Sequence, residues 1–207
     1  MNSEDPILAD CEFAGIDFES GGAGQGETDV PVQIGIGLLR EKGTVLDELL
    51  RSYLAPERPI IWSAADVHGI RAADLDGAPR FADVWPEVSQ LLRGRIAVAH
   101  GAGTERKFLR TFPLHGFGPW LDTLILARKT LPHLQDYSLG TCAIHLGVAE
   151  ECVELCSGMG KNGRDLSWHD ALFDTVASLL VLREIIDQLQ LWDLPLSAMR
   201  ELGCLHG

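Results

Sequence analysis

The chain has 207 residues, of which 46% are hydrophobic, and a formal net charge of −13. This length and apolar content predict one domain with one sizeable core. Its apolar runs are too short to cross a bilayer, and the first residues lack a signal pattern, so we expect a cytoplasmic protein. The acidic balance disfavours a protein that clamps long duplex nucleic acid, and it is compatible with a short or single-stranded end.

The five cysteines, an odd number without an export signal, predict reduced thiols rather than a disulfide framework. Cys152 and Cys156 lie four residues apart with His145 upstream, which leaves a small zinc site open. The spacing is looser than in paired-cysteine zinc motifs, and no second pair follows. Ordinary cysteines of a helix or loop are the favoured interpretation.

The first part of the chain predicts three strands, at residues 11–20, 30–39 and 45–54. Their short connections favour an antiparallel meander. A glycine-rich segment over residues 21–26 follows the first strand, but no helix begins directly after it. A phosphate-binding P-loop is therefore disfavoured, and the segment is interpreted as a hairpin connection.

The second part predicts helices around one buried parallel strand at residues 96–99. The expected helices cover residues 81–92, 104–110 with Thr104 as N-cap, a segment capped by Asp122 or Thr123 within 121–127, 137–146, and 170–190. Loop-rich structure is expected at 56–80 and 150–167. This order predicts an α/β fold with a mixed sheet flanked by helices.

Two carboxylates stand near the end of the first predicted strand. Asp17 and Glu19 are two residues apart, and side chains alternate along a strand, so both point to one face. Two buried like charges repel each other unless a cation compensates them. The pair therefore predicts a divalent-metal site, to which other parts of the chain add ligands.

Further candidates lie near the starts of two predicted helices. Asp174 lies in the first turns of the long last helix, and Glu105 follows the buried strand. His169 precedes Asp174 on the connecting loop, and an imidazole titrates near neutral pH, so it can accept a proton from water. Taken singly, each also fits a surface residue. The pattern Gly101-x-Gly103 lacks the third glycine and the acidic partner of a dinucleotide site, which excludes that interpretation.

Three segments together resemble a known family. They resemble, in order, the three exonuclease motifs of the DEDDh family, which includes the proofreading epsilon subunit of bacterial DNA polymerase III and RNase T. The segments are Asp17-Phe18-Glu19-Ser20-Gly21, the stretch from His100 to Leu109, and His169 followed five residues later by Asp174. The supporting segments are His68-Gly69-Ile70, Asp122-Thr123-Leu124, and Ser138 to Gly147. The resemblance covers roughly residues 11–185, and three motifs in this order are far more specific than any one.

The resemblance implies an RNase H-like fold with a mixed five-stranded sheet, three strands antiparallel and the following ones parallel. It implies hydrolysis of single-stranded DNA or RNA from the 3′ end, releasing nucleoside 5′-monophosphates. Two divalent ions, Mg²⁺ or Mn²⁺, are expected between Asp17, Glu19 and Asp174, with Asp17 bridging and Glu105 contributing. His169 is expected to accept the proton of the attacking water.

The expected exonuclease domain covers residues 11–190. It would follow an N-terminal extension over 1–10 and precede a tail over 191–207 that packs on the core or on a partner. A second copy of the chain and a polymerase both stay open as partners. Candidate contacts to nucleic acid are Ser20, His68, His100, Lys161 and Arg164; for the two cations a solvated loop is an equal alternative.

The chain departs from the family pattern in its second motif. Glu105 stands where the family has aspartate, and Gly101 and Thr104 replace the usual asparagine and phenylalanine. These changes leave the preference for DNA or RNA open. They also leave open a nucleic-acid-binding module that keeps the fold with little or no turnover. A separate alternative is that the carboxylates serve only as salt-bridge partners in a scaffold.

Overall fold

A computed structural model describes residues 5–160 and 163–207, and its centre is a mixed sheet of order β3-β2-β1-β4-β5-β6. The strands are β1 Phe13–Ser20, β2 Pro31–Arg40, β3 Val45–Tyr53, β4 Ile96–Ala99, β5 Trp120–Asp122 and β6 Leu205–His206. The first three are antiparallel neighbours, whereas β4 is parallel to β1 and to β5. The predicted meander and mixed α/β sheet are confirmed.

Eight α-helices flank the sheet in the described residues. They are α1 Trp62–His68, α2 Phe81–Leu92, α3 Gly103–Leu109, α4 Thr123–Thr130, α5 Leu139–Leu146, α6 Ala149–Leu155, α7 Ala171–Gln188 and α8 Ser197–Glu201. No helix among these residues combines the length and hydropathy that a membrane span requires.

The predicted number of five strands is wrong, since the described part of the sheet has six. The additional strand, β6, pairs antiparallel with β5. Its formation depends on the tail, because the carbonyl of Cys204 accepts a hydrogen bond from the Asp122 N–H at 2.8 Å, and Cys204 and Leu205 are buried. A two-residue strand has no periodicity of its own, so its pairing is decided by tertiary contacts.

Two segments predicted to be loops are helical. Helix α1 lies within the segment 56–80 and ends at Gly69, which has a left-handed φ of 71°. Helix α6 occupies the start of the segment 150–167 and buries Cys152 in the core. Both helices have only seven residues, and helices this short are stabilised by packing rather than by their own propensity.

Local signals place the other helix ends well. Asp170 caps α7 by accepting a hydrogen bond from the Leu172 N–H, and α5 begins at the cap Ser138 and ends at Gly147. The expected cap at Thr104 is wrong, because α3 already begins at Gly103 and has no side-chain cap. The preceding turn is instead held by Asp122, whose carboxylate accepts hydrogen bonds from the Gly101 and Ala102 N–H groups at 3.1 and 3.0 Å.

Helix α7 approaches the sheet closely at two glycines. A Cβ atom at Gly35 on β2 would lie 2.2 Å from the Ala171 carbonyl oxygen, and one at Gly15 on β1 would lie 2.7 Å from Leu179 Cγ. Only glycine leaves room for this approach. The first turn of α7 therefore lies directly against β2, next to the end of β1.

The segments 5–10 and 191–207 pair with each other and pack on the core. The Leu8 N–H donates to the Leu194 carbonyl at 2.9 Å, and the Leu196 N–H donates to the Pro6 carbonyl at 2.8 Å. Leu8, Leu196 and Met199 are buried in the cluster that contains α7. The tail therefore covers the core of its own chain.

Candidate active site

Four acidic side chains meet where β1 ends and where α3 and α7 begin. Asp17 and Glu19 share one face of β1. Phe18 lies on the opposite face, where it packs in a hydrophobic cluster with Ile16 and Phe108. Glu105 lies in the first turn of α3 and Asp174 in the first turn of α7. Glu19 and Glu105 are 9% and 5% exposed. Such burial is rare for acidic residues without a partner.

The pairing register brings Asp174 to Asp17. Asp17 pairs with Gly35 across β1 and β2, and Gly35 is the point at which α7 touches the sheet. The Thr175 hydroxyl donates to the Gly35 carbonyl at 3.0 Å. Asp174, the preceding residue, is thereby held beside the strand pair.

Glu19, His169 and Asp174 form a compact group. One potential ligand atom from each of the three lies within 4.8 Å of the others. His169 itself is exposed and has a left-handed φ of 66°. The three residues could contact one cation together, or a cation and a water molecule beside it.

Burial raises the pKa values of all four carboxyl groups. It raises the pKa of Glu19 to about 8, with a further increase from Asp174, and it raises the pKa of Glu105 to about 7. The pKa of Asp174 rises to about 7, although a backbone hydrogen bond from His169 opposes the rise. The pKa of Asp17 rises well above its usual value through burial and then through Glu105, Asp174 and Glu19. Glu105, Asp174 and Glu19 therefore each oppose ionisation of Asp17, and Asp174 and Glu105 oppose ionisation of Glu19.

No ion pair within the described parts of the chain includes any of these four residues. The described residues thus give no support to the salt-bridge hypothesis. In addition, Oε2 of Glu105 and Oδ1 of Asp174 are buried and accept no hydrogen bond. A buried acceptor without a partner costs about 1–3 kcal/mol. Divalent cations would supply that partner, and carboxylate oxygens suit Mg²⁺ and Mn²⁺, so these residues fit the expected metal ions.

Ser20 and His68 shape the backbone next to the site. The Ser20 hydroxyl donates to Asp29 at 2.7 Å and accepts from the Gly22 N–H at 3.0 Å. His68 Nε2 donates to the Ser20 carbonyl at 3.1 Å, and its Nδ1 accepts from the Ile70 N–H at 3.0 Å. The Ser20 hydroxyl and the His68 ring already have hydrogen-bond partners, so any contact of these two residues with a substrate would be additional to these bonds.

The other candidate contacts are more dispersed. His100 lies on the loop after β4, with Nδ1 3.0 Å from the Thr123 hydroxyl and Nε2 donating to the Tyr137 carbonyl at 2.8 Å. Arg164 is exposed on the loop that leads to His169. Lys161 lies outside the described residues.

The cysteines do not form a metal site with His145 in the described structure. Cys152 and Cys156 are fully buried in the core, and His145 is exposed. The Cys152 thiol lies 3.6 Å from the Phe173 carbonyl. The favoured interpretation as ordinary cysteines agrees with this placement.

Sequence reasoning missed two residues beside the site, Gln33 and Arg51. Both contact the carboxylate of Asp170, directly after His169. Gln33 is a polar residue in an otherwise apolar strand, and that interruption was a signal. Arg51 is one of several polar residues on β3, and nothing in its local pattern marks it.

Comparison with known proteins identifies the family. The exonuclease family model of RNase T matches residues 7–182. The chain is 30% identical over 145 residues to the DNA polymerase III subunit epsilon of Aquifex aeolicus, which covers 68% of this chain and 70% of that protein. It is also 30% identical over 151 residues to the PolC-type DNA polymerase III of Thermotoga maritima, covering 70% of this chain. The chain spans only 11% of that polymerase.

Solved structures share the fold. Exonuclease X in complex with 5′ overhanging duplex DNA superposes with a TM-score of 0.67 at 24% identity, covering 90% of this chain and 98% of that one. The nuclease domain of 3′hExo, a DEDDh family member bound to rAMP, has a TM-score of 0.64 at 16% identity, covering 86% and 92%. The family model and the relative from Aquifex aeolicus together show that the chain belongs to the RNase T exonuclease family.

Proposed function

We propose that the protein is a metal-dependent 3′-5′ exonuclease that releases nucleoside 5′-monophosphates from a single-stranded end of DNA or RNA. One observation carries this proposal: four carboxylates meet without a basic ion-pair partner among the described residues, and His169 lies beside Glu19 and Asp174. Glu19 and Glu105 are buried, and Asp17 and Asp174 are half-buried. Asp17, Glu19, Glu105 and Asp174 would hold two divalent ions. When bound, such ions acidify the attacking water and stabilise the leaving oxygen.

His169 is the proposed general base. Its ring lies next to Glu19 and Asp174 and is exposed, so it can accept a proton from a water molecule and pass it to solvent. The described contacts include no hydrogen bond of this ring to another side chain. The ring is therefore free to face a substrate.

Glu105 is the proposed replacement for the usual aspartate of the second motif. Its side chain is one methylene longer, yet it is buried, lies close enough to raise the pKa of Asp17, and has an unpartnered Oε2. These features support a contact with the metal ions. A residue that served only to pack the helix would have no reason to keep an unpaired carboxylate there.

The substrate class remains part of the proposal. One structural neighbour was solved with 5′ overhanging duplex DNA and another with rAMP, so the fold accommodates both kinds of nucleotide in other proteins. The net charge of −13 favours a short contact with a strand end over a long duplex. The relationship to an epsilon subunit makes a DNA polymerase a candidate partner.

The test is a set of 5′-labelled single strands of DNA and RNA incubated with Mg²⁺, Mn²⁺ or a chelator. We expect stepwise shortening from the 3′ end with either metal and none with the chelator. Asp174→Asn should abolish shortening, whereas Asp193→Asn, which changes an exposed aspartate of the tail, should not. Shortening that survives the chelator, or that begins at the 5′ end, contradicts the proposal.

A binding module without turnover is the second candidate, and the altered residues Gly101, Thr104 and Glu105 favour it. The same strands separate the two hypotheses. Retention of the label on full-length strands, together with a metal-dependent gel shift, would support the module.

A further inference from the structure

The loop that carries His169 is tied to the sheet through the carboxylate of Asp170. This carboxylate accepts hydrogen bonds from Arg51 Nε at 2.9 Å, Arg51 Nη2 at 2.6 Å and Gln33 Nε2 at 2.9 Å. It also caps α7 through the Leu172 N–H at 3.1 Å. The side chains of Asp170 and Arg51 are only 14% and 17% exposed. A fork of charge-assisted hydrogen bonds in this setting is strong and directional. The side chains of Gln33, Arg51 and Asp170 are called the Asp170 clamp.

Through Gln33, the clamp connects the loop to β2, the strand that pairs with the Glu19 strand β1. Gln33 is 1% exposed and lies directly opposite Glu19 in the register of β1 and β2. Its amide makes a second bond to the helix, because Oε1 accepts from the Ala171 N–H at 2.8 Å. Arg51 lies on β3 and also donates to the Tyr53 hydroxyl at 3.1 Å. Both clamp residues on the sheet are thus held by strands, which position side chains more rigidly than loops do.

His169 needs such an anchor more than Asp174 does. Its left-handed backbone is uncommon for a residue with a side chain, and such conformations persist only where neighbouring structure imposes them. Asp174 has separate support from the close approach of α7 at Gly35 and from the Thr175 hydroxyl. Asp170 follows His169 directly, so the clamp acts one residue away from the proposed base.

We propose that the Asp170 clamp is a positioning device that holds the His169 ring beside Glu19 and Asp174. This inference rests on the proposed exonuclease function. Arg51 and Gln33 are positioning residues, because they act through Asp170 and the backbone rather than on the substrate. Without the clamp, the proposed metal ligands should stay in place. The His169 ring, however, should lose its fixed position beside the attacking water.

The decisive experiment is a double-mutant cycle. Arg51→Met should lower kcat about 10- to 100-fold, the usual effect of losing a supporting residue, with KM changed less than about threefold. His169→Ala alone should lower kcat about 100-fold or more. In the His169→Ala background, Arg51→Met should cost no more than about twofold, because the residue on which it acts is gone. A full and independent loss in that background overturns the proposal, as does an unchanged kcat in Arg51→Met alone.

Hydrogen exchange without metal or substrate gives a second readout. In Arg51→Met, the amides of residues 167–174 should exchange faster than in the wild type, while β1 and β2 stay protected. Arg183→Met is the matched control, since Arg183 also forms a two-pronged pair, with Glu151, at 2.7 and 2.6 Å, on the same helix but away from the site. Unaltered exchange in Arg51→Met, or equal loosening in both variants, overturns the proposal.

A replacement variant and a readout that needs no activity distinguish failure of the clamp from failure of the proposed function. If Arg51→Met does not fold, Asp170→Ser replaces it, because serine keeps the helix cap but cannot reach Arg51. If the wild-type protein shortens no strand with either metal, the proposed function fails by itself. The exchange experiment then still decides whether the clamp holds the loop.

Discussion

At the scale of single residues, the site is governed by carboxylates that no side chain of the described structure neutralises. At Asp17, burial and three acidic neighbours all oppose ionisation and raise the pKa of the carboxyl group. The same repulsion that makes the cluster costly in a metal-free protein makes it a strong ligand set for cations. Changes to one carboxylate therefore affect stability and metal binding in opposite directions.

Asp17→Asn should stabilise the metal-free protein at pH 8 and remove its response to metal. Loss of one buried charge from the cluster should add about 1–2 kcal/mol, or roughly 2–8 °C in Tm for a chain of this size. Thermal unfolding with chelator and with Mn²⁺ measures both effects. A lower Tm in the metal-free variant would show that Asp17 has a stabilising partner.

Glu105 is the position at which the chain departs from its family while keeping the charge. Glu105→Gln should reduce metal-dependent hydrolysis about 100-fold, because the amide keeps the shape but loses the charge that faces the ions. Glu105→Asp serves as the charge-conserving comparison and should retain more activity than Glu105→Gln. Unaltered hydrolysis in Glu105→Gln would remove Glu105 from the metal site.

At the scale of elements, the site depends on how closely α7 lies on the sheet. Gly35 permits this contact and at the same time pairs with Asp17, so one residue couples the position of α7 to the strand that carries Asp17 and Glu19. The caps of α7 and α5 were predictable because each depends on a few consecutive residues. Helices α1 and α6 were missed because their stability comes from residues distant in sequence.

Gly35→Ala should separate Asp174 from Asp17. The new methyl group would meet backbone atoms of Ala171, which cannot move without the helix, so we expect a loss of about 3 kcal/mol and weaker Mn²⁺ binding. Gly140→Ala is the control, because its methyl group would meet only Trp168 at an ordinary 3.7 Å inside α5. That variant should be neutral or more stable by about 0.5–1 kcal/mol. Chemical unfolding and calorimetric Mn²⁺ titration would compare the two, and equal stability would refute the proposed close approach.

At the scale of the whole molecule, the cluster gives the metal-free protein an unusual dependence on pH. The pKa values of Glu19, Glu105 and Asp174 rise to about 8, 7 and 7 in the folded protein. Between roughly pH 4 and pH 8 the folded state therefore binds more protons than the unfolded state, whose acids have pKa values of about 4. The stability is fully present at the low end of this window and falls as the pH rises through it.

The metal-free protein should lose on the order of a few kcal/mol of this contribution between pH 5 and pH 8. Bound Mn²⁺ should reverse the trend, because the ions compete with protons for the same oxygens and bind more tightly as the pH rises. Unfolding by urea at several pH values, with chelator and with Mn²⁺, measures both slopes. Equal slopes in the two conditions would show that the carboxylates do not bind the metal.

The sequence by itself determined the class of fold, most element boundaries and the family. These follow from signals that act over a few residues: alternation along β1, the helix start at Asp170, the helix end at Gly147, and three motifs whose spacing is fixed by the elements between them. Asp17, Glu19, Asp174 and His169 were identified in this way as candidates. The distances between these side chains in the folded protein were not predicted, because a spacing along the chain gives no distance between two elements.

Only the tertiary structure decided how the elements meet. The sixth strand, the approach of α7 at Gly35 and the clamp formed by Gln33 and Arg51 on Asp170 all join residues that are far apart in the chain. Pairing register and the absence of a single Cβ atom set these contacts, and neither leaves a periodic pattern in the sequence. The candidate site residues could therefore be predicted from local chemistry, whereas the contacts that surround them became visible only in the folded chain.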